Sequence, residues 1–178
     1  MRSLTAFFIL LLLVINFSGC LVYKKVSYEI NLNAKNSGEA VITLYDIKSD
    51  AVGNKEFEED KSALFNHMLK SEQFLEDMKY EGKDITSRRL FLEKKSLNGE
   101  VKFKFTDISR IEGILHQDGF YFLTVDLKDS ILSTNGEIIV SPEHKRILWK
   151  DTEEILKFEM MTDAVPSKLR DLSQFLDK

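Results

Sequence analysis

Two periods of apolar residues run along the chain. Val26, Tyr28, Ile30 and Leu32 are separated by Ser27, Glu29, Asn31 and Asn33, the period of two shown by a strand with one buried face. Asn36-Ser37-Gly38 predicts a turn. Ala40 to Ile47, rich in β-branched and aromatic types, predicts the returning strand of a hairpin, and its two apolar faces place it inside a sheet. From Asn54 the period lengthens, because Phe57, Leu64, Phe65, Met68, Leu69, Phe74, Leu75 and Met78 recur at spacings of three and four. A long amphipathic helical segment ending near Gly82 is expected, with Lys70-Ser71 as the place where it would divide in two.

The period of two then returns. Ile85 to Leu97 predicts a strand, Asn98-Gly99 a hairpin turn, and Val101, Phe103 and Phe105 alternate with lysines, which points the two phenylalanines into the core. Asp107 is placed to cap a short turn over Ile108 to Ile111. A second hairpin is expected from Ile114 to His116 through Asp118-Gly119 to Phe120 to Leu127. Phe120-Tyr121-Phe122 puts aromatic rings on both faces of that strand, so it is either covered on both sides or leaves an apolar face open. Short strands follow at Ile138 to Val140, at Arg146 to Lys150 with Ile147 and Trp149 on one face, and at Glu154 to Met161 with Leu156, Phe158 and Met160. Pro166 predicts a helix start, with Leu169, Leu172, Phe175 and Leu176 at helical spacing behind it. The order of elements predicts an α+β domain, an antiparallel sheet of about six to eight strands with a long helical segment and a C-terminal helix packed on it.

Met1 to Cys20 is of another kind. Arg2 is followed by an unbroken apolar run from Ala6 to Ile15 and then by small residues before the cysteine. The run is shorter than the roughly 20 residues of a membrane helix and has the layout of an export signal. Phe17-Ser18-Gly19-Cys20 resembles the lipobox of bacterial lipoproteins, with Phe17 where an aliphatic residue usually stands. The resemblance implies removal of residues 1–19 as signal peptide and lipidation of Cys20 as the first residue of the mature chain. Residues 20–25 would be a short tether and residues 26–178 a single domain. Leu21 to Lys25, fully extended, reach about 17 Å at roughly 3.4 Å each, so the domain is expected close to the bilayer. Several acyl chains, at about 0.8 kcal/mol per buried methylene, would make a firm anchor.

Composition narrows the chemistry. The 178-residue chain carries a formal net charge of −4, which gives no reason to expect nucleic acid as a partner. Its single cysteine excludes a disulfide framework, so stability must come from packing. His67, His116 and His144 have no second His or Cys at ligand spacing, so no metal is expected. No nucleophile elbow or phosphate-binding glycine pattern occurs, and no cofactor is expected. Acidic runs such as Glu58-Glu59-Asp60 are explained by solvation or capping. Phe65, Phe120, Phe122 and Trp149, with Met68 and Phe74 of the helical stretch, are the candidates for lining an apolar pocket, though core packing is the plainer reading of the helical residues and of the lone tryptophan.

The lipobox, the Tyr28-Glu29-Ile30-Asn31-Leu32 strand with Ser37-Gly38-Glu39-Ala40, the helical stretch, and Ser133-Thr134-Asn135-Gly136 followed by Ile147-Leu148-Trp149 together resemble the LppM-type lipoprotein domain over roughly residues 22–161. The resemblance implies an α+β domain that binds lipids or glycolipids at the cell envelope. That family commonly adds a C-terminal membrane helix, where this chain has the polar-faced Pro166 to Lys178. The expectation is a non-enzymatic lipoprotein whose partners are the membrane lipid that anchors it and a lipid or other apolar ligand. The alternative is an assembly lipoprotein that binds another envelope protein. Absence of Asp after Cys20 favours the outer over the inner membrane if the cell has two.

Overall fold

The computed structural model describes residues 20–161 and 168–176. Residues 1–19, expected as a signal peptide, and Pro166 therefore lie outside the described residues. Within them strands account for 51% and helices for 21%, arranged as three sheets with two short helices. This corrects the expectation of one sheet carrying a long helix and a C-terminal helix.

Thirteen strands occur among the described residues: β1 (Leu21–Val22), β2 (Lys25–Ala34), β3 (Ser37–Tyr45), β4 (Lys48–Ser49), β5 (Lys83–Glu93), β6 (Ser96–Phe105), β7 (Leu115–Gln117), β8 (Phe120–Val125), β9 (Ser130–Thr134), β10 (Glu137–Val140), β11 (Lys145–Lys150), β12 (Ile155–Met161) and β13 (Arg170–Asp171). The large sheet has the order β5-β6-β3-β2-β12-β9, a second sheet β10-β11-β8-β7, and a small one β1-β4-β13. Every pairing is antiparallel.

Alternation along the large sheet separates its faces. Tyr28 pairs with Ile42 and Phe158, Ile30 with Ala40 and Leu156, and Ala40 with Phe103, which makes one continuous apolar face. The opposite face carries cross-strand ion pairs such as Lys157–Glu29 at 2.8 Å and the Arg89–Glu100 pair at 3.0 Å. Such exposed pairs contribute about 0–1 kcal/mol each, so they mark a solvated face more than they hold the sheet.

The apolar face is covered in two ways. Over β2 and β12 lies the second sheet, whose Tyr121, Leu123, Ile147 and Trp149 are almost wholly buried against Ile30, Leu156 and Phe158. The Asn135-Gly136 turn, where the chain crosses from β9 to β10, fastens the two layers. The Asn135 Oδ1 accepts from Trp149 Nε1 and from the Lys157 backbone N–H, both at 2.8 Å. Gly136 is required there, since a Cβ would meet the Leu148 carbonyl oxygen at 2.6 Å and Trp149 Nε1 at 2.7 Å.

Over β3, β6 and β5 lies the helical segment. It is α1 (Asn54–Ser62), a widened π turn (Ala63–Met68) and α2 (Glu72–Tyr80), not one long helix. The division falls at Ser71, whose extended backbone and side-chain oxygen cap α2 by accepting from the Phe74 N–H at 3.4 Å. At the C-terminal end, Leu169 to Leu176 form no regular helix. Arg170–Asp171 pair with β4, and Ser173–Phe175 make a single 3-10 turn behind the fully buried Leu172.

Asn98-Gly99 is also not a turn. The β5–β6 hairpin turns at Lys94 and Lys95, both at positive φ (49° and 70°). Asn98 lies inside β6, buried, its Oδ1 accepting from the Asp46 N–H at 2.9 Å. The Asp118-Gly119 turn stands as expected, with φ of 54° and 83°.

Candidate functional site

The helical segment does not fill the space over its half of the sheet. Between it and β3, β5 and β6 lies a cavity of about 510 Å³, within the range of roughly 300–1,000 Å³ of small-molecule sites. Its floor is Ile42, Leu44, Val101, Phe103, Ile85 and Leu90, and its roof Leu64, Met68, Leu69, Phe74 and Met78. Gly99 belongs to the floor, where a Cβ would press on Ile47 Cδ1 at 3.1 Å. No residue of α2 is buried, which is the signature of a roof held over a void and not into a core.

The floor can be followed along the strands. At one end lies the row Leu44–Gly99–Leu90, and at the other Phe103 on β6 and Lys83 on β5. Along β6 the lining runs four residue steps, from Gly99 to Phe103, about 13 Å at roughly 3.3 Å per residue.

The two ends differ in chemistry. At the first end the wall is made by Cys20, Leu21, Val22 and Tyr23. Cys20 is held in place: its N–H donates to Asp50 Oδ1 at 2.8 Å, and the Asp50 N–H donates to the Cys20 carbonyl at 3.1 Å. Leu21 and Val22 pair with Ser49 and Lys48, so the expected tether is a strand. Desolvation first, then the carboxylates of Asp50 and Asp60, raise the Cys20 thiol above its ordinary value, which disfavours a thiolate nucleophile. Asp60, on the buried side of α1, accepts from Ser49 Oγ at 2.6 Å, and burial raises its carboxyl above the usual range.

Toward the second end Lys83 and Glu112 line the wall, and Tyr28 reaches Glu112 from the middle row of Ile42 and Val101. Tyr28 Oη donates to Glu112 Oε1 at 2.6 Å, and its ring stacks on Phe158 at 4.4 Å. Lys83 is 6% exposed, and its Nζ lies 3.7 Å from Glu81 Oε2. Burial lowers its ammonium below the ordinary lysine value, against the opposing pull of Glu81 and Glu112. Midway, Arg88 donates to the carbonyls of Met68 at 3.0 Å and Ser71 at 2.9 Å, which pins the junction between the π turn and α2 to the edge strand β5.

Of the residues singled out in the sequence, Cys20, Met68 and Phe74 line this cavity, and Phe65, Phe120, Phe122 and Trp149 do not. Phe65 packs against the cluster of Ile47, Phe57 and Leu172. Phe120 and Phe122 stand on the outer face of β8, Phe122 beneath the Arg146 guanidinium at 5.2 Å, and Trp149 is core. The histidines are apart from the cavity as well. His67 meets Phe74 edge-on, His116 has Nε2 3.6 Å from Asp151 Oδ2, and His144 closes the turn with Ser141. Among the described residues no three His, Cys, Asp or Glu side chains are grouped to hold a metal ion. The residues missed in the sequence are Lys83, Arg88 and Glu112. Lys83 shares the inward register of Ile85, a signal that was present, while Glu112 sits in a loop whose approach to Tyr28 has no local trace.

Comparison with protein-family models, with curated proteins and with solved structures finds no match for the chain.

Proposed function

We propose that the protein is a non-enzymatic lipoprotein of the bacterial envelope, attached to its membrane through Cys20, that binds one acyl chain of a lipid or a similar apolar ligand in the cavity between helices and sheet. The observation that carries this reading is the cavity itself: a volume of about 510 Å³ with a largely apolar lining and with Cys20 in its wall. A single chain fits such a space, and the several chains of a lipid anchor do not. Because Cys20 is fastened by Asp50 and by β1, an anchor there would hold one end of the cavity against the bilayer, from which a chain can enter without crossing water.

Native mass spectrometry of the full-length protein, ejected from lipid nanodiscs, tests this. The expected spectrum shows one bound lipid or fatty acid beyond any covalent mass, lost in Val101→Phe, which places a ring in the cavity. Retention of the same lipid by Val101→Phe would overturn the reading.

A second reading is favoured by the edge strand β10, where Ile138, Ile139 and Val140 are 45%, 44% and 64% exposed beside unpaired backbone groups. Even a four-residue apolar edge can accept another strand, which would make this an assembly lipoprotein docking an envelope protein. A photocrosslinking residue at position 139 that captures no protein in living cells would end that alternative.

A further inference from the structure

One glycine in the floor of the cavity lacks the reasons that account for the others. Gly82, Gly113 and Gly119 have positive φ, at 84°, 71° and 83°. Gly38 and Gly136 lie so close to backbone that a Cβ would meet a carbonyl oxygen at 2.0 and 2.6 Å, and Gly53 is the N-cap of α1. Gly99 stands inside β6, paired with Leu44 of β3 on one side and Leu90 of β5 on the other, where a glycine weakens the strand. A Cβ there would meet only the tips of two side chains, Ile47 Cδ1 at 3.1 Å and Leu90 Cδ2 at 3.4 Å. Both of those residues line the cavity and have room to turn into it. By the period of two, Gly99 shares a face with Val101 and Phe103, so the side chain it lacks is one that would stand in the cavity.

We propose that Gly99 determines the size of the ligand: its missing side chain leaves a notch between Leu44 and Leu90, beside the wall of Cys20 to Tyr23, and part of the ligand's apolar chain lies in that notch. This rests on the cavity's binding an acyl chain or a similar apolar ligand, and adds which residue fixes how much of the chain is buried. A side chain at position 99 leaves the floor from Val101 to Phe103, two residue steps in place of four, or about 7 Å in place of about 13 Å at roughly 3.3 Å per residue. A long chain then loses buried methylenes, and a short one keeps its own. Stability moves the other way. Removal of a glycine from the middle of a strand favours the strand, and Ile47 and Leu90 give way into open space, so a methyl group at position 99 costs the ligand its place and the fold nothing. A glycine kept for packing alone would show the reverse, a weaker fold with the same ligand.

Native mass spectrometry of the full-length protein, ejected from nanodiscs holding equal amounts of octanoate, dodecanoate and hexadecanoate, reads chain length directly. The wild type is expected to carry hexadecanoate in preference to octanoate. In Gly99→Val the ratio of bound hexadecanoate to bound octanoate should fall at least about tenfold, the worth of two methylenes no longer buried. In Gly99→Ala it should fall by a smaller factor, with a melting temperature equal to or above that of the wild type. The wild-type ratio in both variants overturns the assignment of Gly99 and leaves the cavity reading standing. Equal loss of all three acids by a folded Gly99→Val overturns it likewise, since a blocked cavity does not sort chains by length. A lowered melting temperature of Gly99→Ala with the wild-type ratio makes the glycine a packing residue and overturns it too. Binding of none of the three acids by the wild type overturns the cavity reading itself. Since Gly99→Ala is read on both ratio and stability, the outcome does not depend on whether Gly99→Val folds.

Discussion

The two halves of the large sheet's apolar face are built from the same kinds of residue and packed to different ends. Over β2 and β12, Tyr121, Leu123, Ile147 and Trp149 interlock with Ile30, Leu156 and Phe158, each at 2% exposure or less. Over β3, β6 and β5, leucines, methionines and Phe74 stand off the sheet and leave a cavity of about 510 Å³. The contrast lies in what covers the face. A second sheet lays alternating side chains flat across the first, whereas two short helices joined by a π turn touch it along narrow stripes and are held at the junction by Arg88. Close packing makes a core, and an apolar face kept unfilled makes a site.

Truncation should separate the halves most widely. Trp149→Ala is expected to cost about 3–5 kcal/mol, from the cavity it opens and from stranding Asn135, whereas Met68→Ala at the already open roof should cost under about 1.5 kcal/mol, in the lower tail of core substitutions. Urea unfolding of both variants checks the difference, and equal costs would show the helical half to be as tightly packed as the other. Insertion reverses the order. Ile30→Phe should cost about 1–3 kcal/mol by overpacking, while Val101→Phe has space to enter and should be neutral or slightly stabilising by the same measurement.

Arg88→Met should act locally. With the carbonyls of Met68 and Ser71 released, amide exchange through residues 54–80 is expected to rise while β8 and β11 keep their protection, as hydrogen exchange with peptide resolution would show.

The smallest effect concerns Asp60. Its carboxyl is raised in the folded state by burial, so the folded protein holds the proton more tightly than the unfolded chain. Stability from this group is therefore fully present below the unfolded aspartate value and falls as pH rises through the folded one. Asp60→Asn, which keeps an acceptor for Ser49, should raise the melting temperature at pH 7 and lose that advantage near pH 3. An advantage that is the same at both values would exclude this linkage.

Strands with one buried face were legible one residue at a time, as in Val26 to Leu32, Val101 to Phe105 and Ile147 to Trp149, because alternation is a local property. Their division into three sheets was not, since pairing β12 with β2 depends on residues more than a hundred positions apart. Asn98-Gly99 looked like a turn because its composition suits one. The turn fell instead on Lys94-Lys95, and Asn98 was drawn inside by the Asp46 N–H. Leu169 to Leu176 have helical spacing, but one buried leucine and pairing with β4 suffice to place them. The helical stripe offered Met68 and Phe74 as pocket residues without distinguishing a cavity from a core. A stripe of Leu64, Met68 and Phe74 reads the same whether it meets a partner or a void. Cys20 stood out by its motif, yet its place in the cavity wall follows from Asp50 and Ser49, which only the folded backbone brings to it.

Hydrogen exchange of the full-length protein in nanodiscs, with and without dodecanoate, addresses the difference between the halves most directly. Binding in the cavity predicts slowed exchange in α1, α2 and β5 and no change in β8 and β11. Unchanged exchange everywhere, or protection confined to the second sheet, would contradict it.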